Sequence, residues 1–93
     1  MSLLRKTMNK LWADEAWAEY VSWQSEDKKT LKRINALIKD IETNGLSDGI
    51  GKPEFLKYRK RWSRRIDGEN RLVYDIDENN NLWIISCKGH YEE

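Results

Sequence analysis

The chain has 93 residues, which predicts one small domain and excludes a second folded unit. Its 17 basic and 16 acidic residues nearly cancel to a net charge of +1, so a uniformly polycationic protein is excluded. A single cysteine, Cys87, and a single histidine, His90, exclude an internal disulfide and a structural zinc site built by this chain alone.

Neither a membrane span nor a secretory signal is apparent in the sequence. No apolar run approaches the roughly 18 residues that a transmembrane helix requires. The N-terminus also lacks the apolar segment of a signal peptide. We therefore expect a cytoplasmic protein without a membrane partner.

The predicted elements begin after a short leader. Residues 1–7 precede a second methionine, Met8, and we expect them to be a leader or an expression-derived extension, with residues 8–93 as the single folded domain. A short strand is expected at Asn9–Trp12. An amphipathic helix should start at Asp14 as its N-cap and reach about Gln24.

A second, longer helix follows a break at Ser25–Asp27, where Asp27 provides a new cap. The helix should extend to about Glu42, since its apolar residues recur every three or four positions: Leu31, Ile34, Leu37, Ile38 and Ile41. A loop rich in glycine, serine and aspartate occupies residues 44–53 and ends the helical periodicity.

The rest of the chain is predicted to be a meander of four strands. The strands are expected at Glu54–Tyr58, Arg61–Ile66, Arg71–Asp77 and Leu82–Tyr91, with Asp67-Gly68 marking a tight hairpin. The predicted fold class is α+β: a short N-terminal strand and two helices packed on one face of a C-terminal antiparallel sheet.

Positive charge is concentrated between Lys52 and Arg71, where eight lysines and arginines face only three acidic residues. The strand period places Arg65 on the face opposite Trp62 and Ile66, and the hairpin would bring Arg71 beside Arg65. Two neighbouring arginines favour a bound anion such as a phosphate. The alternative is a solvated charged face with Glu69 and Asp75 as counter-ions.

Aromatic and reactive side chains have structural interpretations as well. Of the five tryptophans, Trp12, Trp17 and Trp62 fit core positions, whereas Trp23 and Trp83 are expected to be partly exposed at a partner surface. Cys87 is interpreted as a small buried core residue. His90, at the exit of the last strand, would by position alone be an ordinary surface residue.

Several motifs together point to a known family. They are Gly51-Lys52-Pro53-Glu54, Trp62-Ser63-Arg64-Arg65-Ile66, Arg71-Leu72-Val73-Tyr74 and His90-Tyr91, preceded by Trp17, Tyr20 and Trp23 in the first helix. With these motifs the chain resembles the YoeB/Txe family of bacterial toxins, within the RelE/ParE superfamily. The resemblance extends from Met8 to Tyr91.

That resemblance implies a RelE-like, microbial-RNase-like fold and a ribosome-dependent mRNA endonuclease that cuts the codon in the ribosomal A site. It implies Glu54 as general base, His90 as general acid and Arg71 as stabiliser of the transition state. The residues implied in holding phosphate and base are Lys57, Arg65 and Tyr91. Attack by a ribose 2′-hydroxyl with these groups needs no metal and no cofactor.

The resemblance also implies partners. A cognate antitoxin of the YefM/Axe type is expected to hold the toxin inactive by folding an acidic and apolar segment over the basic groove. The other expected partners are the 70S ribosome with its mRNA, operator DNA only in complex with the antitoxin, and a second copy of the chain in a homodimer.

Two other functions remain open. A non-catalytic module that binds nucleic acid or antitoxin would explain the arginines equally well, although not the accompanying carboxylate and imidazole. A ParE-like inhibitor of DNA gyrase shares the fold. The gyrase inhibitors are not expected to have the set Glu54, His90 and Tyr91.

Overall fold

Two helices cover one face of a five-stranded sheet in the computed structural model of the chain, which describes residues 8–90. The elements are β1 (Lys10–Trp12), α1 (Asp14–Glu26), α2 (Lys28–Asn44), β2 (Glu54–Leu56), β3 (Arg61–Arg65), β4 (Arg71–Ile76) and β5 (Leu82–Ser86). The strand order is β1-β5-β4-β3-β2, with β1 parallel to β5 and all other pairs antiparallel. The predicted α+β class is confirmed.

The start of α2 is fixed by the predicted cap. The carboxylate of Asp27 accepts hydrogen bonds from the amide nitrogens of Lys29 and Thr30 at 3.0 and 3.4 Å. The expected cap of α1 is one residue off, because Asp14 lies inside the helix and Ala13 is the N-cap without a side-chain bond. An acidic first turn still favours this helix start through the helix dipole.

The core lies between α2 and the covered face of the sheet. The apolar positions predicted for α2 supply it, and Leu72, Tyr74, Leu82 and Ile84 meet them from β4 and β5. Among the tryptophans, two expectations are wrong: Trp17 is 51% exposed, whereas Trp23 is 8% exposed. Trp23 is buried because its indole nitrogen reaches the carbonyl oxygen of Cys87 at 3.0 Å.

The strands are shorter than expected, and β3, β4 and β5 contain two irregularities. The hairpin between β3 and β4 closes through Ile66 and Asn70, so its loop is longer than a two-residue Asp-Gly turn. A register shift between β4 and β5 leaves Ile85 without a partner on β4, and β5 ends at Ser86.

No helix within residues 8–90 is both long and apolar enough to span a membrane. The predicted leader, Tyr91 and the last two glutamates lie outside the described residues.

Candidate active site

The two arginines predicted to be neighbours lie directly opposite each other. Arg65 of β3 pairs in register with Arg71 of β4, which places their Cα atoms roughly 5 Å apart. Leu72 and Tyr74 face the helices, so by the strand period Arg71 and Arg65 project from the helix-free face of the sheet. The sequence prediction of a paired-arginine face is therefore confirmed.

Glu54 lies on the same helix-free face. It opens β2 and pairs with Ser63, which is two residues before Arg65 on β3. Ser63 in turn pairs with Val73, and Val73 with Ser86, so these three buried residues form a row across the sheet. A carboxylate and two guanidiniums thus border a strip of small, buried residues.

The segment that follows β5 brings the backbone before His90 to the start of β4. The amide nitrogen of Arg71 donates to the carbonyl oxygen of Gly89 at 2.9 Å, and the amide nitrogen of Gly89 donates to the side-chain oxygen of Asn70 at 2.9 Å. The residue before His90 is therefore bound on both sides to the start of β4. His90 therefore follows directly after a residue bound beside Arg71, and His90 itself is exposed.

Helix α1 holds the same segment from the other end. A carboxylate oxygen of Glu19 accepts the amide N–H of Cys87 at 2.7 Å, and Trp23 donates to the Cys87 carbonyl. Burial raises the pKa of Glu19, although the bond from Cys87 opposes this effect. Lys88 lies 4.7 Å from the ring centre of Trp23 and 2.8 Å from a carboxylate oxygen of Glu26. The chain is thus fixed up to the residue before Gly89.

Asp75, one of the two counter-ions proposed from the sequence, is engaged with another arginine. Asp75 lies 3.7 Å from Arg61, and among the ion pairs of residues 8–90 none involves Arg65 or Arg71. Arg71 instead donates to the backbone oxygens of Asp67 and Asn70 at 2.9 and 3.2 Å. The carboxylate of Asp67 interacts with the charge of Arg71, which helps to lower the Asp67 pKa, but within residues 8–90 no carboxylate forms an ion pair with either arginine. This favours an anionic ligand over the counter-ion interpretation.

Arg64 does not belong to the cationic face, although it was counted in the basic segment. Its side chain is completely buried on the helix side, where the hydroxyl of Tyr74 accepts from Nε at 2.8 Å. The guanidinium also donates to three carbonyl oxygens of the loop between α2 and β2: Gly45, Asp48 and Ile50. This arginine organises the loop that leads to Glu54.

Asp40 completes this buried network. Its carboxylate lies 2.5 Å from a guanidinium nitrogen of Arg64 and accepts the amide N–H of Ile50 at 3.0 Å. Burial alone would raise the pKa of Asp40, but the hydrogen bonds from Arg64, Ile50 and Asn44 outweigh it and lower the pKa. Asp40 therefore stays ionised as the charge partner of Arg64.

The loop then meets β3 at Gly51. The carbonyl oxygen of Gly51 accepts the amide N–H of Arg65 at 2.7 Å, three residues before Glu54. Gly51 has a φ of +84°, and a Cβ there would come within 2.8 Å of the Leu37 side chain. Glycine is required at this close approach, which joins the loop of the carboxylate to the strand of the arginine.

Of the six residues predicted for the site, the fold brings four to one region: Glu54, Arg65, Arg71 and His90. Lys57 is exposed in the turn between β2 and β3, with its ammonium 6.0 Å from the ring centre of Tyr58. Tyr91 lies outside the described residues. Sequence reasoning missed three positioning residues: Asp40, Arg64 and Asn70. Arg64 was part of the motif Trp62-Ser63-Arg64-Arg65-Ile66, but nothing in the sequence separated its role from that of Arg65.

The helix-free face thus bears a carboxylate and two guanidiniums, and an imidazole follows the glycine that is bound beside Arg71. Carboxylate and imidazole are the groups that accept and donate protons in general acid–base catalysis. Paired guanidiniums bind phosphate through planar, bidentate contacts. The arrangement fits proton transfer at a phosphodiester.

The chain is similar in sequence to one group of known proteins. A family model described as "YoeB-like toxin of bacterial type II toxin-antitoxin system" matches residues 12–91. Toxin YoeB of Escherichia coli strain K12 is 44% identical over 86 residues, which cover 90% of this chain and 100% of that protein.

Solved structures agree with the sequence match. The YoeB dimer from Staphylococcus aureus is 45% identical with a TM-score of 0.86, covering 92% of this chain and 100% of that one. The toxin chain of a heterotetrameric YoeB–YefM toxin–antitoxin complex, also from Staphylococcus aureus, is 45% identical with a TM-score of 0.82 and the same coverage.

Proposed function

The chain belongs to the YoeB-like toxins of bacterial type II toxin–antitoxin systems, and from that membership we propose that it is a ribosome-dependent mRNA endonuclease. Its target would be the mRNA codon exposed in the A site of the 70S ribosome, and cleavage there would inhibit translation. One observation carries the proposal: Arg65 and Arg71 face each other on an open sheet surface that also bears Glu54 and adjoins His90.

The proposed chemistry is an intramolecular transfer at one phosphodiester. Glu54 accepts the proton of a ribose 2′-hydroxyl as its oxygen attacks the adjacent phosphorus. The bond from phosphorus to the 5′-oxygen breaks, and His90 donates a proton to that leaving oxygen. Arg65 and Arg71 stabilise the charge on the crowded phosphorane. The products are a 2′,3′-cyclic phosphate and a 5′-hydroxyl.

Lys57 and Tyr91 have supporting roles in this proposal. Lys57 would bind a phosphate further along the RNA, in keeping with its place in the turn beyond β2. Tyr91 would stack on an unpaired base, which is how proteins commonly hold single-stranded RNA. No metal and no cofactor takes part in the proposed reaction.

We also propose a regulatory partner. The Staphylococcus aureus relative occurs as a dimer and in a heterotetramer with YefM. For this chain we propose a cognate antitoxin of that type, whose acidic segment covers Arg65 and Arg71, with operator DNA bound only by the complex. The free toxin would act in the cytoplasm as a homodimer.

The test is primer extension on an mRNA paused on purified 70S ribosomes. The wild-type protein should cut at the A-site codon only when ribosomes are present. Glu54→Gln, Arg71→Ala and His90→Ala should each lose at least 100-fold in cleavage rate while still sedimenting with ribosomes. Lys39→Ala, which removes an exposed charge near the other end of α2, is the matched control and should cut normally.

A different outcome would favour the non-catalytic interpretation. If the wild-type protein binds ribosomes or antitoxin but never cuts, the nuclease proposal is wrong. Inhibition of DNA gyrase by the same preparation would then assign the chain to the ParE-like function.

A further inference from the structure

A cavity of about 400 Å³ opens on the helix-free face, beside the candidate active site but separate from it. It is lined by Ala13, Arg61, Asp75, Asp77, Trp83 and Ile85. Asp75 pairs in register with Trp83 on β5, and on its other side it lies 3.7 Å from Arg61 of β3. None of these residues is used by the proposed catalytic mechanism.

The cavity lies along the same strands as the paired arginines. Arg61 precedes Arg65 by four residues on β3, and Asp75 follows Arg71 by four residues on β4. Four residues of strand correspond to roughly 13 Å. Ser63 and Val73 lie between the paired arginines and the cavity, and Ser63 also pairs with Glu54 of β2. An extended RNA strand bound at the arginines can therefore reach the cavity.

Trp83 gives the cavity a rigid aromatic wall. Its indole nitrogen donates to a carboxylate oxygen of Asp77 at 3.0 Å. Asp77 is itself held by the amide nitrogens of Asn79 and Asn81 at 2.9 and 3.0 Å. The ring is thus held in place before any ligand arrives, which lowers the entropic cost of stacking on it.

Arg61 and Asp75 provide polar groups at the rim. Their side chains are 43% and 37% exposed, and the 3.7 Å between them leaves N–H donors on Arg61 and acceptor positions on the Asp75 carboxylate for a ligand. Ala13 and Ile85 add apolar surface. An aromatic wall with one donor and one acceptor group matches how a splayed RNA base is bound, by stacking and by hydrogen bonds to its edge.

We propose that this cavity is a subsite for one base close to the scissile bond but not adjoining it, with Trp83 stacking on the base and Asp75 and Arg61 contacting its edge. The inference rests on the proposed nuclease function and adds a determinant of sequence preference to it. Asp75 accepts from an exocyclic amino group, so adenine, cytosine or guanine should be preferred there over uracil. An acidic antitoxin segment is the less suitable occupant, because it would meet the carboxylates of Asp75 and Asp77.

The test compares cleavage of ribosome-bound messages that differ by one base at each position flanking the cut. Trp83→Leu should lower kcat/KM about tenfold on messages with the preferred base and reduce the discrimination against uracil. Trp83→Phe, which keeps an aromatic ring, should retain most of the activity. Asp75→Asn, a change at a half-exposed rim residue, should weaken the preference without affecting folding.

Trp17→Leu is the matched control, since it makes the same exchange at an exposed tryptophan of α1 and should leave the preference unchanged. If the wild-type protein cuts but the profiles of Trp83→Leu and Asp75→Asn equal its own, the subsite is wrong and the nuclease proposal stands. If these two variants cleave like the wild type but bind the antitoxin more weakly, the base subsite is also wrong, and the cavity is assigned to the antitoxin. If the wild-type protein cuts no message, the nuclease proposal fails, and the subsite fails with it.

Discussion

The amide nitrogen of Arg71 donates a 2.9 Å hydrogen bond to the carbonyl oxygen of Gly89. This bond connects the segment that carries His90 to β4, the strand of the proposed phosphate-binding residue Arg71. Asn70 reinforces the tie, because its side-chain oxygen accepts the amide N–H of Gly89. The position of His90 relative to Arg71 therefore depends on two hydrogen bonds to the backbone of Gly89.

Loss of the Asn70 side chain should impair catalysis more than binding. Asn70→Ala removes the acceptor for Gly89, and a misplacement of His90 by about 1 Å can cost up to roughly 100-fold in rate. We expect a fall of at least tenfold in kcat with little change in KM, measured by single-turnover cleavage on ribosomes. Asn70→Asp keeps an acceptor oxygen for Gly89 but loses the amide bonds to the Asp67 carboxylate, so it should recover only part of the rate. Wild-type kcat for Asn70→Ala would contradict the positioning role.

The network of Asp40 and Arg64 should dominate the stability of the loop before Glu54. Asp40→Ala leaves the fully buried guanidinium without its charge partner, which should lower the free energy of unfolding by about 3 kcal/mol. Urea denaturation measures this cost as a shift in midpoint. Lys39→Ala, an exposed neighbour on α2, should stay within about 0.5 kcal/mol of wild type. Equal midpoints for the two variants would show that the network contributes little.

Acid should destabilise the protein through its hydrogen-bonded aspartates. The pKa of Asp77 is lowered to about 2 by hydrogen bonds, first from the Asn81 amide and then from the indole of Trp83. A carboxyl whose folded pKa is below its ordinary 3.8 contributes stability above that value and loses it as the pH falls towards 2. The difference in urea midpoint between wild type and Asp77→Asn should therefore be largest near pH 7 and shrink towards pH 2. A difference that does not change with pH would contradict this account.

Cys87 should be unreactive in the folded protein. Burial, followed by the nearby charge of Glu19, raises the pKa of the Cys87 thiol to about 12, and the side chain is fully buried. Because the thiolate is the reactive form, iodoacetamide at pH 8 should leave the native protein unlabelled and label it in concentrated urea. Mass spectrometry of the two samples provides the measurement. Rapid labelling of the native protein would show that the segment after β5 opens readily.

The opposition of Arg65 and Arg71 could be predicted because it depends only on the strand period and the hairpin between them. The cap at Asp27 and the core positions of α2 could be predicted for a similar reason, since both follow from local spacing. Such features need no knowledge of distant contacts.

The features that sequence reasoning missed depend on distant contacts. Arg64 shares the face of Trp62, as the period predicts, but its burial results from Asp40, 24 residues away, and from the intervening loop. Trp23 is buried because the chain returns 64 residues later to accept its indole N–H at Cys87. The turn of the C-terminal segment toward Arg71 likewise depends on the bond to Gly89, which no local pattern indicates.

The most direct test of the nuclease account is the chemistry of the cut ends. The wild-type protein is incubated with a defined mRNA, with and without purified 70S ribosomes, and both fragments are analysed by mass spectrometry. We expect one cut, in the A-site codon, and only when ribosomes are present. The cut should leave a 2′,3′-cyclic phosphate on one fragment and a 5′-hydroxyl on the other. An intact message, or fragments ending in a 3′-hydroxyl and a 5′-phosphate, would contradict the roles given to Glu54, His90 and the paired arginines.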